Sequence, residues 1–214
     1  YKRQSKFSIS IYEKSYQQAP VHKDEKSKIQ DLSFLMDRFQ ILGDLTSDGT
    51  AKASGIEFLI EKKRAENFYG HIGGTLFNAT YKDLNGDTRN RDYNYRYIFN
   101  IVGGYRPKEK WEISVRWSLF GGKPYTPIDE LLSSKLGYEV LFEDQNNEEK
   151  TPVYHSLFIR YDYRKNYGFG NLIGYMELWN AYNRKNIENY FWDSGLKEET
   201  YFNLIPVVGL ELEF

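Results

Sequence analysis

The 214-residue sequence has no cysteine. Disulfides and thiolate metal sites are thereby excluded, although the compartment stays open, because proteins in oxidising places also lack the residue. An excess of charge is missing too: 29 basic and 30 acidic side chains leave a formal net charge of -1, which offers no electrostatic footprint for nucleic acid. Histidine is scarce, and His22, His71 and His155 lie too far apart for a zinc or catalytic set. There is no run of about 18 apolar residues, so no transmembrane helix is expected. The opening "YKRQSKFSIS" has neither a methionine nor an apolar leader core, and the expectation is a processed chain or a part of a longer one.

What the sequence does have is aromatic residues, at 17%, with 19 Tyr and 14 Phe. A mean hydropathy of -0.68 ordinarily goes with a water-soluble protein. The exception is a transmembrane β-barrel, in which lipid-facing and lumen-facing residues alternate, about 9–11 residues span the bilayer, and aromatic girdles mark both interfaces. Period-two stretches recur here, while helical periodicity is rare. In "WEISVRWSLFGG", Ile113, Val115, Trp117 and Leu119 share one face and Glu112, Ser114, Arg116 and Ser118 the other. "VYHSLFIRYDYR" repeats the design, with Leu157, Ile159, Tyr161 and Tyr163 opposite Ser156, Phe158, Arg160 and Asp162.

The expected fold is all-β, with about eight strands near 5–16, 53–64, 67–82, 92–106, 110–123, 153–166, 171–185 and 201–214. Three connections are short ("KKRAEN", "RPKEK", "KNYGFGN") and alternate with long ones at roughly 17–52, 83–91, 124–152 and 186–200. Counting back from Phe214 puts every short turn at the end of the sheet where the chain stops, as in outer-membrane barrels with short periplasmic turns and long outer loops.

Several motifs have ordinary explanations. Asp83, Asn85 and Asp87 in "DLNGDTRNRD" have the first spacings of a calcium loop, but Thr88 and Asn94 break the pattern, and an Asn-Gly turn explains the same residues. "FEDQNNEEK" is an acidic connection expected to be solvated. Tyr93, Tyr95 and Tyr97 fit an aromatic girdle better than a carbohydrate platform. Leu32, Leu35, Met36 and Phe39 have helical spacing, either as a short helix within a loop or as a lid. The inward set Glu57, Glu112, Arg116, Arg160, Asp162 and Glu177 can hydrate and cross-pair a lumen, or contact a ligand or a plug. No nucleophile elbow, phosphate loop or poised carboxylate pair is present.

Four patterns, in order, resemble TonB-dependent outer-membrane receptors. "DGTAKASGIEFLIEKK" is similar to their Gly-x-Ala and Gly-hydrophobic-Glu steps through Gly49, Ala51, Gly55, Ile56 and Glu57. "LFGGKPYTPID" resembles a Gly-x-Pro-Tyr-Thr element through Gly122, Pro124, Tyr125, Thr126 and Pro127. "YMELWNAYNRKNIENYFW" resembles an "NLFN" element, with Asn180 and Asn183 in place and Ala181 and Tyr182 between them. "LIPVVGLELEF" resembles the closing strand, and Gly209, Leu212 and Phe214 its barrel-assembly signal, with Val207 where a polar residue is usual.

The resemblance implies that residues 1–214 form the C-terminal part of a barrel of about 22 strands, with the plug domain and N-terminal strands absent. It further implies active import of a scarce nutrient (siderophore, haem, cobalamin, glycan or peptide) rather than an enzyme, with no cofactor and no resident metal. The implied partners are outer-membrane lipid, the barrel-assembly machinery, the imported ligand, the TonB–ExbB–ExbD system acting through the absent plug, and in some forms a surface lipoprotein. Two other architectures fit the strand pattern: a complete eight-stranded barrel with a structural or adhesive role, and a soluble β-sandwich binding glycans.

Overall fold

The computed structural model describes residues 4–22, 45–65 and 67–214. The amphipathic stretch with Leu32, Leu35, Met36 and Phe39 lies outside them. Eight long strands form one antiparallel meander: β1 (Ser5–His22), β2 (Leu45–Ala65), β3 (Phe68–Lys82), β5 (Tyr97–Lys108), β6 (Trp111–Phe120), β9 (Tyr154–Tyr167), β10 (Gly170–Trp179) and β13 (Ile205–Glu213). The short β4 (Thr88–Asn90) extends β3, while β7 (Pro124–Tyr125) pairs with β8 (Glu149–Lys150) and β11 (Ile187–Trp192) with β12 (Leu196–Thr200). Among the described residues a short helix, α1 (Glu130–Leu136), is capped by Asp129, whose carboxylate accepts from the Leu132 amide at 2.9 Å, and ends at Gly137 with φ 79°.

All eight expected strands are present. Two of them are longer than the sequence pattern indicated, since β1 runs on to His22 and β2 begins at Leu45, so the first long connection is correspondingly shorter. Two start later and one ends sooner: β13 begins at Ile205 and β10 stops at Trp179, while residues 92–96 are loop, with the Tyr95 amide turned back to the Tyr93 carbonyl at 2.8 Å and Arg96 at φ 70°, so β5 begins only at Tyr97. Tyr93 and Tyr95 therefore do not join a strand-borne girdle, whereas Tyr97 pairs with Leu76 on the apolar face.

Register carries the alternation from strand to strand, because directly opposed residues point to the same side of a sheet. One row runs Phe7, Ile60, Ile72, Ile101, Trp117, Leu157. Another runs Phe68, Tyr105, Ile113, Tyr161, Met176, Val208. The opposite face has the rows Ser8, Leu59, Gly73, Asn100, Ser118, Ser156 and Tyr69, Gly104, Ser114, Arg160, Glu177, Val207. A one-residue slip anywhere would exchange the two faces, so the pattern fixes the pairing.

The apolar face has no second layer among the described residues. Among the described residues the buried hydrophobic side chains are Val21, Ala51, Tyr81, Ile128 and Ile173, while Ile11 is 78% exposed and Leu210 77%. A β-sandwich would bury this face against a second sheet, so the single-layered structure departs from that alternative. The sheet is also open. β1 and β13 are its two edges, which departs from a closed eight-stranded barrel.

Candidate functional site

The polar face holds all six candidate residues, placed there by strand parity and register. Arg160, Asp162 and Glu177 come together: the guanidinium donates to Asp162 at 2.6 Å and to Glu177 at 2.8 Å. The Trp179 indole N–H donates to the other Glu177 oxygen at 2.7 Å. Above the Tyr175 ring, the Arg160 guanidinium carbon sits 4.1 Å from the ring centre. On the far side of that ring is Gly209, where an added Cβ would run into it. A charged, an aromatic and a backbone layer are thus stacked across three strands.

Glu112 lies opposite Asp162 in the register, accepts a hydrogen bond from the Tyr69 hydroxyl, and has Arg106 at 3.9 Å. Arg116 stands apart from these ion pairs and stacks on Phe158 at 4.1 Å. Glu57 is the outlier, in a separate depression of about 560 Å³ with Ser10, Thr75 and Asn100 among its lining. The short-turn end of this face also gathers Arg164 with Glu213 at 3.8 Å, and Glu211 at 3.9 Å from Arg160. Tyr69, Arg106, Arg164 and Tyr175 were not anticipated as members, although their parity matches that of Glu112, Arg160 and Glu177. Their signal was there in the alternation.

Chemically this is a mixed-charge, hydrogen-bonding wall. The guanidiniums of Arg106, Arg160 and Arg164 are matched by carboxylates, so the surface favours water and polar chain over hydrocarbon. Of the residues expected to form a C-terminal signal, Gly209 is on the polar face under Tyr175, whereas Leu212 belongs to the apolar face and Phe214 is 98% exposed.

At the opposite end, long loops are tied together by amides. Asn180 and Asn183 both have positive φ, at 52°, a conformation that asparagine tolerates better than most residues. The Asn180 side chain donates to the carbonyls of Arg184 (2.8 Å) and Phe202 (3.1 Å), and Asn183 accepts from the Leu204 amide at 2.9 Å. Asn186 exchanges two bonds with the backbone of His155, at 3.0 and 3.2 Å. The Asp83 loop is a turn: its carboxylate accepts from the Asp87 amide at 2.8 Å and from Arg89 at 3.3 Å, so a cation would have to displace a guanidinium. No group of three or more His, Cys, Asp or Glu suited to a metal occurs among the described residues.

Arg89 also donates to the Asp144 carbonyl at 2.6 Å and to Glu148 at 3.2 Å, joining the acidic "FEDQNNEEK" connection to the Asp83 turn. Asn147 donates to Asp92 at 2.7 Å, and Asn90 in return donates to the Asn147 carbonyl at 3.0 Å. Tyr95 and Tyr201 are packed into an aromatic group with Phe120 and Tyr154; burial raises both phenols above their ordinary range, and Glu188 adds to the shift.

No protein-family model matches the sequence, and no curated protein does either. Among solved structures, the chain is similar to the ferric-catecholate import receptor Fiu of E. coli K12, in its closed form, at 13% identity and a TM-score of 0.65. The match covers all of this chain and 26% of that receptor, so the chain spans about a quarter of its length. At that identity the likeness is one of fold: the two-faced, open meander described above is similar to a segment of a transport receptor's barrel wall.

Proposed function

We propose that the chain forms the C-terminal part of the barrel wall of a TonB-dependent outer-membrane import receptor. The observation that carries this reading is the unbroken apolar face across eight strands, opposite a charge-paired face, in a sheet whose edges stay open. An apolar surface of that extent fits lipid rather than water. Open edges within hydrocarbon require further strands, since each unsatisfied backbone group there costs several kcal/mol.

On this reading the charged face lines the lumen, where it meets the plug and passing cargo, and the short turns face the periplasm, where TonB acts on the plug. The barrel-assembly machinery engages the last strand through Gly209, Leu212 and Phe214. The decisive experiment is the intact mass of the native, detergent-extracted polypeptide that carries this sequence, taken from purified outer membranes. A mass several times the chain's 25.4 kDa in the outer-membrane fraction is the expected result. A mass near 25.4 kDa, or recovery in the soluble fraction, overturns the receptor reading.

A further inference from the structure

We infer that the loop end of the sheet carries a binding pocket for a single neutral sugar ring, separate from the charged lumen face. The pocket encloses about 190 Å³ and is assembled from three excursions of the chain: Asp92 and Tyr93 before β5, Lys123, Tyr125 and Glu139 between β6 and β8, and Tyr190 on β11. Pockets for drug-sized molecules run to about 300–1,000 Å³, so the occupant is one small ring or the end unit of a longer chain.

Its walls are fixed before any ligand arrives. Asn147, itself buried, donates its side-chain amide to Asp92 at 2.7 Å and its backbone amide to the Thr126 hydroxyl oxygen at 3.2 Å. Glu139 accepts from the Trp192 amide at 2.9 Å, which pins the β11–β12 hairpin over the cavity. The Tyr125 and Tyr190 rings meet at 5.0 Å and 43°, and burial keeps the Tyr125 phenol protonated above its ordinary range.

The polar groups select among guests. Two carboxylates oppose an anion, and Lys123, 5.9 Å from the Tyr93 ring centre, already supplies that ring with a cation and opposes a second one. A neutral polyhydroxylated ring suits both signs, because its hydroxyls donate to Asp92 and Glu139 and accept from Lys123. Its C–H face has the tyrosine rings to lie against, within a lining that is otherwise mostly polar and so suits a hydroxyl-rich guest.

The test uses the native detergent-extracted protein and a panel of neutral mono- and oligosaccharides, with choline and inorganic phosphate as charged probes, read by calorimetry and by saturation-transfer NMR. Saturable binding of at least one neutral sugar, with Kd of about 1 mM or tighter, and neither charged probe bound, is the expected result. Asp92→Asn and Tyr190→Ala should each weaken binding about tenfold or more, whereas Lys108→Gln at the exposed β5–β6 turn should leave it unchanged. Because Tyr190→Ala can loosen the hairpin, Asp92→Asn is the deciding variant, with unchanged circular dichroism required of it. Absence of sugar binding, preference for choline or phosphate, or sugar binding indifferent to Asp92→Asn overturns the inference. Import need not be measured, so the outcome is independent of the receptor reading.

Discussion

Single residues on the polar face act through what lies above and below them. Gly209 has the Tyr175 ring over its Cα and Arg160 beyond that ring, so Gly209→Ala forces the stack apart. Overpacking of this kind costs about 1–3 kcal/mol, and a denaturant titration of the refolded protein in micelles should show a lower midpoint; an unchanged midpoint would mean the ring moves freely. Arg160 answers to Asp162 and Glu177 together, with a side chain about one-third exposed. Its replacement by Ala should cost roughly 1.5–3 kcal/mol, the range for hydrogen bonds to charged groups. Much of that should be recovered when Glu177→Gln is added, because the stranded charge is then gone. Strict additivity in that double-mutant cycle would count against the network.

Elements differ in how far they could be read from the sequence. Strands such as β6 were legible because β-branched and aromatic residues alternate strictly with Glu112, Ser114, Arg116 and Ser118. Parity also assigned all six candidate residues to one face, but it gave no information on neighbours across strands. The grouping of Arg160 with Glu177, and the isolation of Glu57, depend on register set by turns far away. The loop end was least legible, since asparagine amides from distant segments organise it and no periodicity marks them. Asn186→Ala removes both bonds to the His155 backbone and should destabilise the loop end by about 1–3 kcal/mol, seen as faster amide exchange in residues 180–204 with β6 unaffected. The same end should respond to alkali. Tyr201 is held above its ordinary value of 10.0 by burial, so its contribution is intact below about pH 10 and is lost as pH rises through the higher folded value. Tyr201→Phe should flatten that alkaline loss, followed by tyrosinate absorbance alongside unfolding.

For the whole molecule, the division into two faces outweighs any one contact. Ile101 sits within the row from Phe7 to Leu157, and Ile101→Arg should cost about 2–4 kcal/mol in lipid vesicles if that row lies near the bilayer midplane. Thr75→Lys, opposite Glu57 on the other face, should be nearly neutral under the same conditions. Equal effects at the two sites would remove the basis for calling one face lipid-directed. The long-loop end has a mechanical character of its own. Arg89 fastens the Asp83 turn to residues 144 and 148, Asn147 clamps Asp92, and Trp192 is hooked to Glu139. Such a rim behaves as a stiff collar, in which none of these three described excursions swings without dragging the others.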